Sequence, residues 1–123
     1  MRYLCLVYAD ETKLNAMPQA EVDALIDEVL ANNEELRASG HLVMAEALEQ
    51  VDAAITVRVR DGRLSATDGP FAETNEQLGG FLLVEARDLN EAVRIAGRIP
   101  GARVGSVEVR PVIDLSRERS AGG

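Results

Sequence analysis

Residues 54–70 read AITVRVRDGRLSATDGP. Ile55, Val57 and Val59 alternate with Thr56, Arg58 and Arg60, the period of two that marks a strand with one apolar face. Asp61-Gly62 supplies the two positive-φ positions of a type I′ turn. A two-residue turn sets the register. Arg60 falls opposite Arg63, Val59 opposite Leu64, Val57 opposite Ala66 and Ile55 opposite Asp68. Ile55, Val57, Val59, Leu64, Ala66 and Asp68 therefore share one face. Asp68 is the one acid of that row, at its end, and Gly69-Pro70 prevents the strand from simply continuing. Two uses of its carboxyl are open. Either it accepts N–H groups from the turn at 69–71 and shapes the loop, or it opens into a pocket. In a pocket, partial loss of water favours the protonated form of a carboxyl and suits proton exchange with a ligand.

On the N-terminal side, Arg2–Ala9 reads as a strand with Tyr3, Cys5, Val7 and Ala9 on one face and Leu4, Leu6 and Tyr8 on the other. Both faces are apolar, as in a strand covered on both sides. Asp10 to Ala16 reads as a polar connection, and Pro18 suits the first turn of a helix. Val22, Leu25, Ile26, Val29, Leu30 and Leu36 then recur at helical spacing until Ser39-Gly40. His41–Leu48 reads as a second strand, with Leu42, Met44, Glu46 and Leu48 on one side and Val43, Ala45 and Ala47 on the other.

On the C-terminal side, Thr74 and Gln77 have the spacing of a capping box, which predicts a short helical turn ending at Gly79-Gly80. Gly80–Ala86 reads as a strand, apolar on both faces. Asp88 caps a second long helix with Glu91 at the capping-box position; Leu89, Ala92, Val93, Ala96 and Ile99 form its stripe, and Pro100-Gly101 ends it. Val104–Arg110 reads as the last strand. The order is two βα units, each returning to a strand, with the hairpin between them. It predicts an α+β, ferredoxin-like βαββαβ sandwich with an extra hairpin. Residues 1–113 make one domain and residues 114–123 a polar, flexible C-terminal tail. Two helices cover one sheet face only, yet two strands are apolar on both. The exposed remainder is larger than a monomer normally tolerates, so a homodimer joined through the sheet faces is expected.

Composition narrows the function. The chain has 123 residues and a formal net charge of −8, which disfavours nucleic acid as a partner. One Cys and one His exclude a disulfide framework and a four-ligand zinc site; no metal or cofactor is expected. No apolar run approaches the ~20 residues of a membrane span, and no cleavage signal follows the N-terminus, so a cytoplasmic protein is expected. No phosphate loop or nucleophile motif is present.

Asp68-Gly69-Pro70-Phe71-Ala72-Glu73-Thr74, continued by Glu76-Gln77-Leu78-Gly79-Gly80-Phe81, resembles the signature of the YCII-related domain family in its DGPF-motif subgroup. The similarity extends to Val57–Gly62 and Gly105–Val112. The resemblance implies a dimeric α+β barrel and a bacterial protein without an assigned activity, often encoded beside alternative sigma factors. Relatives in the wider group carry a His–Asp pair associated with acid–base work. By position Asp68 corresponds to that Asp. The group's His lies early in the first helix, where this chain has none, and His41 follows that helix instead. Asn75 stands where the subgroup usually has Lys.

The candidate site residues are thus Asp68, His41 and Glu73 for proton exchange and Gly69, Pro70 and Phe71 for ligand binding, with Phe71 closing the cleft against water. Each has a structural alternative: Glu73 as part of a helix start, His41 as a side chain placed at a helix C-terminus. Cys5 reads as a core thiol, and Arg58, Arg60 and Arg63 as a solvated face. The function expected is a small-molecule-binding domain with acid–base chemistry at Asp68. The alternatives are a non-catalytic regulatory or interaction module linked to transcription, its acidic surface meeting a basic protein, and a purely structural dimer.

Overall fold

The structure, a computed structural model, describes residues 1–122. Four strands form the main sheet: β1 (Arg2–Ala9), β2 (Leu42–Ala47), β5 (Gln77–Glu85) and β6 (Ser106–Pro111), in the order β2-β5-β1-β6. Every pairing is antiparallel. The two central strands are the two that are apolar on both faces, as burial in the middle of a sheet requires. β3 (Ile55–Arg60) and β4 (Arg63–Asp68) form a separate two-stranded sheet between the halves. The architecture is mixed α+β and consistent with a ferredoxin-like fold carrying an inserted hairpin.

The core lies on one face of the main sheet. Tyr3 and Cys5 of β1 oppose Val84 and Leu82 of β5, and all four are buried. α3 (Leu89–Arg98) closes over them with Ala92, Ile95 and Ala96. Asp88 accepts a hydrogen bond from Glu91 N at 2.9 Å, and the Glu91 carboxylate reaches back to Arg87 N at 3.0 Å, so the expected cap forms. α2 (Gln19–Ala38) contributes Leu36. It ends as predicted: Gly40 has φ +81°, Gly40 N donates to Arg37 O at 3.1 Å and His41 N to Leu36 O at 2.9 Å, a Schellman closure.

Several elements differ from expectation. The segment after β1 contains a helical turn, α1 (Glu11–Asn15), because Asp10 accepts from Thr12 N at 2.9 Å and Lys13 N at 3.4 Å. Pro18 is the N-cap residue of α2 rather than within its first turn. A bulge in β2 shifts the pairing between Leu42 and Met44. Leu42 and Ala45 consequently face the core together, and the simple alternation fails at Val43. Residues 74–76 form no helix, and β5 begins at Gln77. A further short helix, α4 (Gly101–Val104), follows Pro100, so β6 starts only at Ser106. Within the expected tail, Leu115–Gly122 is helical (α5), its start capped by Asp114.

The stripe of α2 is also narrower than its sequence suggests. Ile26 and Leu30 are 49% and 57% exposed, while Asn32, one turn before Leu36, is buried. The Asn32 side-chain nitrogen is buried without a hydrogen-bond partner among the described residues.

Candidate functional site

The hairpin forms in the register derived above, from Arg60↔Arg63 through Ile55↔Asp68. Asp61 and Gly62 have φ +52° and +73°, the signature of the type I′ turn. Asp68 accordingly shares a face with the aliphatic row. That row is open: Ile55, Val57, Val59 and Leu64 are 57–72% exposed, and Asp68 is exposed with them.

The loop-shaping role proposed for the Asp68 carboxyl belongs to other groups. Among the described residues no backbone N–H of 69–71 bonds to it. Gly69 makes the turn itself, with φ +103°, a conformation that costs any residue with a Cβ roughly 1–2 kcal/mol. Gly69 N donates to Ala54 O at 2.7 Å, and Thr56 Oγ1 donates to Gly69 O at 2.8 Å. The turn is therefore tied to the start of β3, and the carboxyl is left unused. Pro70, Phe71 and Glu73 follow on the surface; Phe71 is 80% exposed.

A polar network then carries the loop back to the sheet. Thr74 Oγ1 donates to Glu76 O and Gln77 Nε2 to Thr74 O, both at 2.6 Å. Gln77 Oε1 accepts from Glu11 N at 3.1 Å, the Glu11 carboxylate accepts from Val51 N at 3.0 Å, and Ser106 Oγ donates to Glu76 at 2.7 Å. Thr74 and Gln77, taken above for a helix start, instead brace the loop, and Gln77 ties it to α1; Glu11 of α1 holds the 3-10 turn Val51–Ala53, and Glu76 reaches β6. Nothing in a linear pattern indicates those partners.

His41 sits elsewhere. Ser39 Oγ donates to Leu36 O at 3.0 Å and lies 2.7 Å from His41 Nδ1. The hydroxyl has one hydrogen for these two contacts, so the direction of the Ser39–His41 bond follows the ring's tautomer. His41 Nε2 faces Glu91 at 3.5 Å, and Glu91 also pairs with Arg87 at 3.0 Å. The bond from Arg87 N and the nearby Arg87 guanidinium hold the Glu91 carboxyl below its ordinary range. Ser39, His41 and Glu91 line a cleft of about 290 Å³ between α2 and α3, together with Leu36 and Ile95. Asp68 is not part of it. No hydrogen bond or ion pair among the described residues links His41, Asp68 and Glu73. Sequence reasoning missed Ser39 and Glu91 as the partners of His41; only the capping-box position of Glu91 was visible.

Among the described residues no three His, Cys, Asp or Glu side chains are grouped to hold a metal ion. Burial pushes the Cys5 thiol up to about 11, so it is an unreactive core group at neutral pH. No helix among the described residues is long and apolar enough to cross a membrane.

The chain thus combines an antiparallel sheet bearing helices on one face with a hairpin that ends in a glycine-turned loop. Residues 1–116 match the YCII-related domain, and the chain belongs to that family. It is 36% identical over 114 residues to an uncharacterized protein of Rhizobium meliloti (strain 1021), covering 91% of this chain and 92% of that one.

Proposed function

We propose that the chain is a DGPF-type YCII-related domain that works as a cytoplasmic homodimer, a dimeric α+β barrel, and binds a small polar molecule beside Asp68, with which it exchanges a proton. One observation carries this reading. Asp68 is the only carboxyl on the aliphatic row of the hairpin, and it has no hydrogen-bond or ionic partner among the described residues. A carboxyl committed to structure is normally hydrogen-bonded; one held on a rigid strand end and left unspent is available for a ligand. Gly69 and Pro70 aim the loop, and Phe71 supplies a flat apolar surface that excludes water once it is covered. Glu73 is the second carboxyl of the site, able to divide acid and base roles with Asp68 when both are desolvated. His41, with contacts at both ring nitrogens, anchors the end of α2 in this reading.

A screen of small hydroxy- and keto-acids by amide NMR tests the proposal. Binding compounds should perturb residues 68–73, and Asp68→Asn should weaken them at least tenfold without unfolding the chain. Perturbations gathered instead around His41 and Glu91, or unchanged affinity in the Asn variant, would remove Asp68 from the site. The regulatory alternative draws on the net charge of −8. It requires a basic protein partner whose affinity falls with salt and is indifferent to Asp68→Asn.

A further inference from the structure

The cleft between α2 and α3 lies on the helical side of the main sheet, and Asp68 and its loop take no part in it. One stripe of α3 lines it: Glu91, Arg94, Ile95 and Arg98 follow the i, i+3, i+4, i+7 spacing of a single helix face. Glu35 and Leu36 of the last turn of α2 line the other side, with Ser39 and His41 just beyond. Leu36 and Ile95 are buried core residues, so part of the lining is apolar. Two charged contacts cross the cleft. His41 Nε2 faces Glu91 at 3.5 Å near the start of α3, and Arg98 donates to Glu35 at 3.1 Å near its end.

Charge matching leaves one cation over. Glu91 is matched by Arg87 at 3.0 Å and Glu35 by Arg98. Arg94, between Glu91 and Arg98 on the same stripe, has no hydrogen-bond or ion-pair partner among the described residues. The carbonyls that end α2 are already used: Glu35 O accepts from Ser39 N, Leu36 O from His41 N and Ser39 Oγ, and Arg37 O from Gly40 N. They leave no free lone-pair row to repel an anion entering the cleft.

We infer that this cleft binds a small monocarboxylate with an apolar body. The Arg94 guanidinium takes the carboxylate, its planar fork matching the two oxygens, and Leu36 and Ile95 receive the apolar body. The site goes beyond the Asp68 reading and does not depend on it: the ligand is held by charge and burial, and no proton is exchanged. A second negative charge on the ligand meets Glu35 and Glu91 with no further unmatched cation to offset it. The cleft volume of about 290 Å³ is at the small end of ligand pockets, which run from roughly 300 to 1,000 Å³, and fits a short branched or cyclic acid. A homodimer joined through the sheet faces leaves the cleft open, because the helices lie on the other face.

Titration of the ¹⁵N-labelled full chain with cyclohexanecarboxylate at neutral pH tests the inference. Saturable shifts are expected at the amides of Leu36, Ser39, His41, Glu91 and Ile95. Arg94→Gln, at an exposed position, should weaken binding at least about tenfold, and cyclohexylmethanol, the uncharged analogue, should bind the natural chain at least about tenfold more weakly. Glu35→Gln, which leaves Arg98 unmatched as well, should tighten binding about threefold. Asp68→Asn should leave it within about twofold. Shifts that gather at residues 68–73 or on the hairpin arginines, or the absence of saturable shifts, overturn the inference. So does an affinity unmoved by both Arg94→Gln and Glu35→Gln. A loss of binding in Asp68→Asn would assign the probe to the Asp68 site and overturn the cleft alone; failure of the cleft otherwise leaves the Asp68 reading as it stands.

Discussion

The helix-covered face of the main sheet and the β3–β4 hairpin are built from the same kinds of residue and have opposite fates. Cys5 and Val84 are fully buried, whereas Val57 and Leu64 are 58% and 72% exposed. Both regions alternate, both are antiparallel, and both have well-determined register. The difference lies in what each is given to pack against. The sheet receives α3 and the end of α2 from its own chain; among the described residues no helix or further strand packs on the hairpin's aliphatic row. Aliphatic side chains placed with strict periodicity on a strand imply a covering surface.

Substitutions should separate the two regions sharply. The largest effect belongs to the core. Leu82→Ala should cost about 2–5 kcal/mol in urea unfolding, while Leu64→Ala should leave the stability of an isolated chain within about 0.5 kcal/mol and act on association instead. Similar losses in both would mean that the hairpin already packs within one chain. Next, Asn32→Leu should stabilise by about 1–3 kcal/mol, since it removes a buried donor without a partner; a lower melting temperature would mean that this amide has a use. Gly69→Ala should cost roughly 1–2 kcal/mol for its φ of +103°. Its chemical-shift changes should remain within residues 54–56 and 68–73, leaving the core unmoved.

The smallest effect concerns pH. The Glu91 carboxyl is held below its ordinary value in the folded chain by the bond from Arg87 N and by the Arg87 guanidinium. Its contribution to stability is therefore present above the unfolded value of about 4.5 and is lost as pH falls through the lower folded value. Glu91→Gln should flatten the acid limb of the stability profile between about pH 5 and 3. An unchanged limb would show that the cap does not contribute there.

How much of this was legible beforehand follows the range of the forces involved. The hairpin register was readable to the residue, because a two-residue turn and a period of two are both local. The limits of β1 and the closure at Ser39-Gly40-His41 were readable for the same reason. The bulge at Val43 was not: one inserted residue reverses parity, and only pairing with β5 reveals it. α1 was hidden because five mostly polar residues gain their helix from the single Asp10 cap. The Thr74–Gln77 spacing misled because Gln77 is drawn into β5 and bonds to α1. The His41–Glu91 contact joins residues fifty positions apart and depends wholly on tertiary packing. Asp68 was located correctly on its row, but parity says nothing about what covers a row.

Sedimentation velocity across micromolar concentrations, run on the natural sequence and on Leu64→Asp, tests the central claim most directly. The account predicts a species of twice the chain mass for the first and of single-chain mass for the second, with α-helical circular dichroism unchanged. A natural chain that sediments as a monomer, or a dimer indifferent to an acid placed at the turn end of the aliphatic row, would contradict it.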